Sequence, residues 1–111
     1  MRVAASILAL ATAVALALPA RAGDELSPAR ERELRHLVLQ DCGSCHGLTM
    51  KGGLGAPLLP SALADKPDDA LVAIIRDGIP GTPMPPWRDE ISQAEASWIV
   101  EQLRKGLSHE R

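Results

Sequence analysis

Two cysteines and a histidine lie within five residues of one another, in the order Cys42-Gly43-Ser44-Cys45-His46. This is the C-x-x-C-H pattern of covalent haem attachment, in which both thiols add to vinyl groups and the adjacent histidine reaches the iron. Two intervening residues match the separation of the two vinyl-derived carbons, and a histidine that follows at once can place its ring beneath the metal. The motif therefore predicts one haem c, bound through Cys42 and Cys45, with His46 as an iron ligand.

Three other interpretations of the motif are open. A thioredoxin-like dithiol requires a βα context, whereas a helical pattern precedes this motif and glycines follow it. A structural zinc site usually has four ligands, and beyond the motif only His36 and His109 are available, neither at a finger spacing. A chance match is the third. Because the motif follows an N-terminal export signal and a capped helix, haem attachment is favoured over all three.

A second iron ligand has two candidates, Met50 and Met84, the methionines outside the export signal. Met50 is four residues from His46, so even an extended chain spans only about 14 Å, too little to pass around the macrocycle to its other face. Met84 is 38 residues from His46 and lies in the segment IPGTPMPPW, whose prolines reduce the entropy lost on ordering. We predict Met84 as the ligand, with core packing as the alternative, and Met50 as a packing or loop residue.

Further residues are candidates for contacts around the haem. The stiff turn Gly55-Ala56-Pro57-Leu58 can present a carbonyl to the second ring nitrogen of His46, and we assign that carbonyl to Pro57. A plain loop-ending proline is the alternative. The indole of Trp87 can donate to a haem propionate, and Arg88 can pair with the same charge. Simple surface or core packing is the alternative for both.

Three helices joined by two irregular loops are predicted to position these residues. The helices are expected over about 28–41, 67–78 and 92–105, and their starts are marked by a Ser-Pro cap, two aspartates in a first turn and a Ser-Gln-Ala-Glu capping box. Glycines make residues 42–60 irregular, and four prolines exclude regular helix from 79–87. Because no strand pattern, repeat or linker appears, we predict an all-α fold with the chemistry in its loops.

Residues 1–22 are typical of a cleaved secretory signal, with one early arginine, a long apolar run and an Ala-Arg-Ala site, although an uncleaved membrane anchor is the alternative. The predicted mature domain, residues 23–111, holds ten basic and fourteen acidic residues, a formal net charge of −4. Nucleic acid is therefore not an expected partner. Signal cleavage predicts a periplasmic protein without stable membrane insertion.

The predicted mature domain has few large side chains to fill a core. It contains no phenylalanine or tyrosine and only two tryptophans, of which Trp98 is expected to pack on the first helix against Leu34, Leu37 or Val38. A domain of 89 residues is only marginally stable by apolar burial, and two cysteines so close together cannot close a long loop. A large apolar cofactor would supply the missing core.

The motifs CGSCH after an amphipathic helix, GAPL, and GTPMPPW before a terminal helix together resemble the small bacterial class I c-type cytochromes, over residues 27–106. Within that class the chain is similar to cytochrome c-55X, a small monohaem cytochrome associated with the haem d1-containing nitrite reductase of denitrifiers. The resemblance implies a class I cytochrome c fold with one covalent haem. The site residues it implies are Cys42, Cys45, His46, Pro57 and Met84.

The same resemblance implies a function. It indicates a periplasmic electron carrier, not an enzyme, that acts as a monomer on redox proteins, either as donor to nitrite reductase or as electron acceptor in haem d1 maturation. The class commonly has an aromatic residue in the first helix, which this chain lacks. A haem-based gas-binding or sensing protein with a labile sixth ligand is the alternative, and it would apply if the Met84 segment were mobile.

Overall fold

The structure is a computed structural model that describes residues 25–107, in which helices are the only regular secondary structure. The predicted signal, residues 1–22, lies outside this range. No helix among the described residues has both the length and the apolar character needed to cross a membrane. The helical elements are α1 (Pro28–Leu37), a π-helical turn (Val38–Cys42), α2 (Gly43–His46), α3 (Pro60–Leu63), α4 (Asp68–Asp77) and α5 (Gln93–Arg104).

The first helical run begins as predicted, and it ends at His46, later than the predicted Asp41, when the π-helical turn and α2 are included. The Ser27 hydroxyl accepts from the amide of Arg30 at 3.1 Å, which caps the helix. Beyond α1 the chain continues without a break through the π-helical turn into α2, because Gly43 adopts an ordinary helical conformation with φ −61°. The helical run ends only at Gly47, whose φ of 91° favours glycine. The prediction that the haem-binding motif lies in an irregular loop is therefore wrong, since the motif lies at the end of a helix.

The second and third predicted helices correspond to α4 and α5. At the start of α5, the Ser92 hydroxyl accepts from the amide of Glu95 at 3.2 Å, and the Glu95 carboxylate accepts from the amide of Ser92 at 2.8 Å. This reciprocal pair is the predicted capping box. The short helix α3 was not expected, and it begins with Pro60 at its first position, where proline is well tolerated.

The core forms where α5 meets the other helices, since α4, α1 and α3 all pack against it. Trp98 of α5 is partly buried against this core, as are Leu37 of α1 and several loop side chains. Leu34 and Val38 are fully buried, which agrees with their predicted role at the contact of the first helix. The buried core residues are Leu34, Val38, Met50, Leu63, Val72, Ile91, Ala96, Ile99, Val100, Leu103 and Leu107.

Two arginines fix the two ends of α5. At its start, Arg30 of α1 donates through Nε to Glu95 at 2.6 Å and through Nη2 to the carbonyl of Glu90 at 3.1 Å. At its end, Arg104 donates to the Asp68 carboxylate at 2.7 Å and to the backbone carbonyls of Leu63 in α3 and Lys66 in the α3–α4 connection. Both ends of α5 are thus held against the elements that surround the site.

Candidate haem site

A cavity of about 490 Å³ lies between the end of the first helical run, α4, α5 and the loops that connect them. Apolar side chains form most of its lining, and this size is typical of ligand sites in proteins. Both cysteines of the motif line it, and so do His46 and Met84. The structure therefore brings all four of these predicted site residues to one apolar space.

The two cysteines form no disulfide, and both are partly buried. Burial, and next the nearby Asp41 carboxylate, raises the pKa of the Cys42 thiol to about 11. The thiol also lies near the carboxyl end of a helical run, where the helix dipole disfavours negative charge. Dithiol oxidoreductases need the opposite, a thiol whose pKa is lowered, so the structure argues against the thioredoxin-like alternative.

A zinc site also lacks support. Among residues 25–107, no group of three or more histidine, cysteine, aspartate or glutamate side chains is placed to hold a metal ion. Structural zinc sites need four such ligands at close quarters. His36 is exposed on α1 and adds nothing to the motif, while His109 lies outside the described residues.

The imidazole of His46 is oriented by a backbone carbonyl. Its Nδ1 atom lies 2.6 Å from the carbonyl oxygen of Ala56. Because a carbonyl can only accept, Nδ1 carries the proton and Nε2 is the nitrogen available to a metal. This is the arrangement usual for histidines that bind metals in proteins.

The prediction that the Pro57 carbonyl orients His46 is wrong by one residue, since Ala56 supplies it. A residue before proline is restricted to extended conformations, so Pro57 fixes the direction of the preceding carbonyl rather than offering its own. The ring of Pro57 packs on Gly52, where an added Cβ would lie 3.2 Å from it. Pro57 is not among the residues that line the cavity.

Gly55 allows the imidazole to lie against the loop. A Cβ atom at this position would be 2.7 Å from two ring atoms of His46, a distance that real Cβ atoms do not adopt. The same loop closes the end of the helical run, because the amides of Gly55 and Gly52 donate to the carbonyls of Cys45 and His46, both at 2.8 Å. Sequence reasoning missed this role, since nothing in the sequence separates Gly55 from the other glycines nearby.

The two candidate methionines occupy different environments. Met84 is partly buried and lines the cavity. Met50 is 1 % exposed, belongs to the core and is not among the cavity residues, so the structure places it as a packing residue. Its φ of 61° is unusual for a residue with a side chain, and the amide of Leu58 donates to its carbonyl at 2.9 Å.

Trp87 lines the cavity and is partly buried, which is compatible with the predicted contact to a propionate. Its backbone amide donates to the carbonyl of Ile75 at 3.1 Å, which fixes the residue to α4. The side chain of Arg88 forms an ion pair with Asp77. The structure thus gives Arg88 a protein partner, and its predicted pairing with a propionate stays a prediction.

These observations test whether a haem suits the site. The absence of a side chain at Gly55 leaves the space that the His46 ring occupies. The hydrogen bond to the Ala56 carbonyl holds His46 in the tautomer whose Nε2 can bind a metal. The thiols, the thioether of Met84 and the imidazole share one apolar cavity, and iron in haem accepts both nitrogen and sulfur ligands. The residues present fit a covalently bound haem.

Comparison with known proteins agrees with a haem site, because the similar proteins include c-type cytochromes. Residues 29–102 match the family model described as cytochrome c oxidase, cbb3-type, subunit III. The chain is 50 % identical over 99 residues to cytochrome c55X of Pseudomonas aeruginosa, an alignment that covers 89 % of this chain and 83 % of that protein.

Two solved structures are similar. The c-type cytochrome NirC superposes with a TM-score of 0.71 and 52 % identity, over 73 % of this chain and 95 % of the NirC chain. Dihydro-heme d1 dehydrogenase NirN, solved in complex with DHE, superposes with a TM-score of 0.59 and 30 % identity, over 68 % of this chain and 16 % of the NirN chain. One part of that larger protein therefore resembles the fold described above.

Proposed function

Because the chain belongs to the cytochrome c55X family of class I c-type cytochromes, we propose that it carries single electrons within the nitrite reductase and haem d1 pathway. Family membership gives it a c-type haem and makes it an electron carrier, not an enzyme. The observation that carries the proposal is that both cysteines, His46 and Met84 line one apolar cavity.

When bound, the haem supplies a one-electron couple between ferrous and ferric iron. Cys42 and Cys45 would hold it covalently, His46 would bind the iron through Nε2, and Met84 would supply the second ligand. A thioether ligand and an apolar lining both favour the ferrous form and so raise the reduction potential. Trp87 lines the same cavity, and in this proposal its indole would donate to a propionate.

A gas-binding protein, the alternative suggested by the sequence, would need Met84 to leave the iron readily. The segment that carries Met84 is instead fixed by backbone hydrogen bonds, to Ile79, the second residue after α4, and to α4 itself. The amide of Ile79 donates to the carbonyl of Met84 at 3.2 Å, and the amides of Trp87 and Arg88 donate to carbonyls of α4 at 3.1 and 3.2 Å. Such a segment supports a carrier whose two ligands stay bound.

The direction of electron flow is also part of the proposal. A dehydrogenase removes two electrons from its substrate, so two molecules of a one-electron carrier are needed to accept them. Part of dihydro-heme d1 dehydrogenase NirN has the same fold as this chain, so a cytochrome domain of this kind occurs in a dehydrogenase. This supports transfer of electrons from that type of substrate to this chain. We propose that the protein accepts electrons in haem d1 maturation, with donation to nitrite reductase as the second possibility.

Two exposed apolar residues indicate where a redox partner docks. Leu54 is 76 % exposed and Ile79 is 43 % exposed, and both line the cavity, one from each flanking loop. Encounters between redox proteins use small interfaces, for which a few apolar residues at the cofactor edge suffice. We propose that the partner contacts this edge and that the protein acts in the periplasm, where a signal such as residues 1–22 would direct it.

Absorption spectra and rapid mixing test the proposal. The purified holoprotein should show a c-type haem spectrum with thioether ligation, and its ferrous form should bind carbon monoxide slowly. The ferric protein should be reduced by a dihydro-heme d1 dehydrogenase turning over its substrate, faster than the ferrous protein is oxidised by nitrite reductase with nitrite. The reverse order of rates would assign it as a donor, and no exchange with either enzyme would contradict the proposed pathway.

A further inference from the structure

We propose that Gly78 and Thr82 are positioning residues that place Met84 for iron ligation. The inference rests on the proposed function, in which Met84 is an axial ligand. Both residues lie between the end of α4 and Met84, outside the motif and the ligand set. The contacts on which the inference rests are with the backbone of the Met84 segment. Thr82 also lines the cavity, whereas Gly78 does not.

Gly78 ends α4 in a conformation reserved for glycine, with φ 66° and ψ −173°. A Cβ atom here would lie 2.7 Å from the carbonyl oxygen of Met84, and 2.8 Å from backbone atoms of Pro85 and Pro86. All three are main-chain atoms, so rotation of a side chain cannot relieve the contact. Any larger residue must therefore displace the segment that carries Met84.

The prolines around Met84 leave that segment with a single amide donor. Residues 83–86 read Pro-Met-Pro-Pro, and proline has no backbone N–H. The one remaining amide, that of Met84, donates to the hydroxyl of Thr82 at 3.3 Å. The Thr82 hydroxyl in turn donates to the carbonyl of Ile79 at 2.7 Å. Thr82 thus connects the ligand residue to the chain that leaves α4.

Both backbone polar groups of Met84 are therefore bonded to residues 79–82, the carbonyl to the amide of Ile79 and the amide to Thr82. The other side of the segment is fixed by hydrogen bonds from Trp87 and Arg88 to α4. Because α4 packs on α5, the position of Met84 is set by the folded core. A thioether placed in this way needs little reordering to bind iron.

The decisive comparison is between Gly78→Ala and Gly81→Ala. Gly81 has a similar φ of 77°, but a Cβ atom there would meet nothing within 4 Å. Both variants carry the strain of a positive φ, while only the first disturbs the Met84 backbone. In the holoprotein we expect Gly78→Ala to lower the reduction potential and to raise the population with Met84 dissociated roughly tenfold, read as faster carbon monoxide binding. Gly81→Ala should resemble the unchanged protein in both measurements.

Thr82 offers a second pair of variants, which keeps the test valid if Gly78→Ala does not assemble. Thr82→Val removes the hydroxyl and keeps the shape, whereas Thr82→Ser keeps the hydroxyl. We expect Thr82→Val to speed carbon monoxide binding and lower the potential, with Thr82→Ser close to the unchanged protein. The positioning role would be overturned if Gly78→Ala matched Gly81→Ala and Thr82→Val matched Thr82→Ser in both the reduction potential and the rate of carbon monoxide binding.

Met84→Ala, measured in the same way, separates this inference from the proposed function. If that variant leaves the potential and carbon monoxide binding unchanged, Met84 is not a ligand and both proposals fall. If Met84→Ala alters both while Gly78→Ala and Thr82→Val match their controls, only the positioning role is overturned. If all three change and the controls do not, both stand.

Discussion

The Nδ1 atom of His46 lies 2.6 Å from the carbonyl oxygen of Ala56, so a loop residue ten positions further along the chain decides which imidazole nitrogen can bind iron. The relationship depends on Gly55, whose missing side chain leaves room for the ring. One loop therefore holds the histidine, closes the helix that carries it and contributes to the cavity wall.

Gly55→Ala should displace the His46 ring, because the new methyl group would lie 2.7 Å from two of its atoms. We expect a shifted reduction potential and a loss of about 1–3 kcal/mol in the free energy of unfolding, as for other overpacked sites. Redox titration and denaturant unfolding of the holoprotein measure both. Ala56→Gly keeps the accepting carbonyl and serves as the control, and an equal potential shift in the two variants would contradict the role of Gly55.

Met84→Ala should lower the reduction potential by a measurable part of the roughly 0.8 V over which axial ligands set haem potentials. The loss of the thioether leaves a coordination position open, so carbon monoxide should bind the ferrous form rapidly. Met50→Leu is the matched control, since Met50 is 1 % exposed in the core and its replacement should cost under about 1.5 kcal/mol without changing the potential. A changed potential in the control alone would point to Met50 instead.

Leu54→Glu should slow electron exchange with the redox partner and leave the reduction potential nearly unchanged. Leu54 is 76 % exposed at the cavity edge, and a charge there would have to be desolvated on docking. Leu48→Glu is the control, because Leu48 is 55 % exposed but does not line the cavity. Stopped-flow second-order rate constants at several salt concentrations compare the two, and equal slowing would place docking elsewhere.

Glu95 should make stability depend on pH in the acid range. Its hydrogen bond with Arg30, above all, lowers the pKa of Glu95 in the folded protein, so its contribution is full above the unfolded value of about 4.5 and is lost as pH falls through the lowered folded value. Glu95→Gln keeps a partner for the Ser92 amide but removes the charge. We expect a cost of about 1–2 kcal/mol at pH 7 that disappears in strong acid, measured by denaturant unfolding at both pH values.

The control for Glu95 is Glu33→Gln, since Glu33 pairs with the same arginine from an exposed position and should contribute little. If Glu95→Gln and the unchanged protein lost stability in parallel as pH falls, the pair with Arg30 would not be the cause. The side chain of Glu95 is only 14 % exposed, which is why its charge is less screened than those of surface pairs.

The sequence was sufficient for the parts of the site whose chemistry is local. The spacing of Cys42, Cys45 and His46 predicts attachment, and the chain length between His46 and the methionines separates Met84 from Met50. The extent of the first helix could not be read in this way, because Gly43 looks like a helix terminator and becomes one only if it adopts a positive φ. Its helical φ of −61° follows from the surrounding fold, where it is buried.

Contacts between distant segments were also beyond sequence reasoning. Pro57 is conspicuous beside the histidine loop, yet its effect is to direct the carbonyl before it, a one-residue difference that only the path of the backbone decides. Gly78 appeared as an ordinary helix end, because its contact is with a segment six to eight residues away that folds back on it. Such roles arise from close approach of main chains and leave no distinct pattern in the residues.

The cavity at the centre of the domain also bears on how much protein a cell retains. Without the cofactor, the leucine and isoleucine side chains that line this space would face water, and the native population would fall. Proteases degrade transiently open chains in proportion to that population. The quantity of intact protein should therefore follow the supply of haem and of attachment activity, so that chains that fail to acquire a cofactor are removed before they can compete for redox partners.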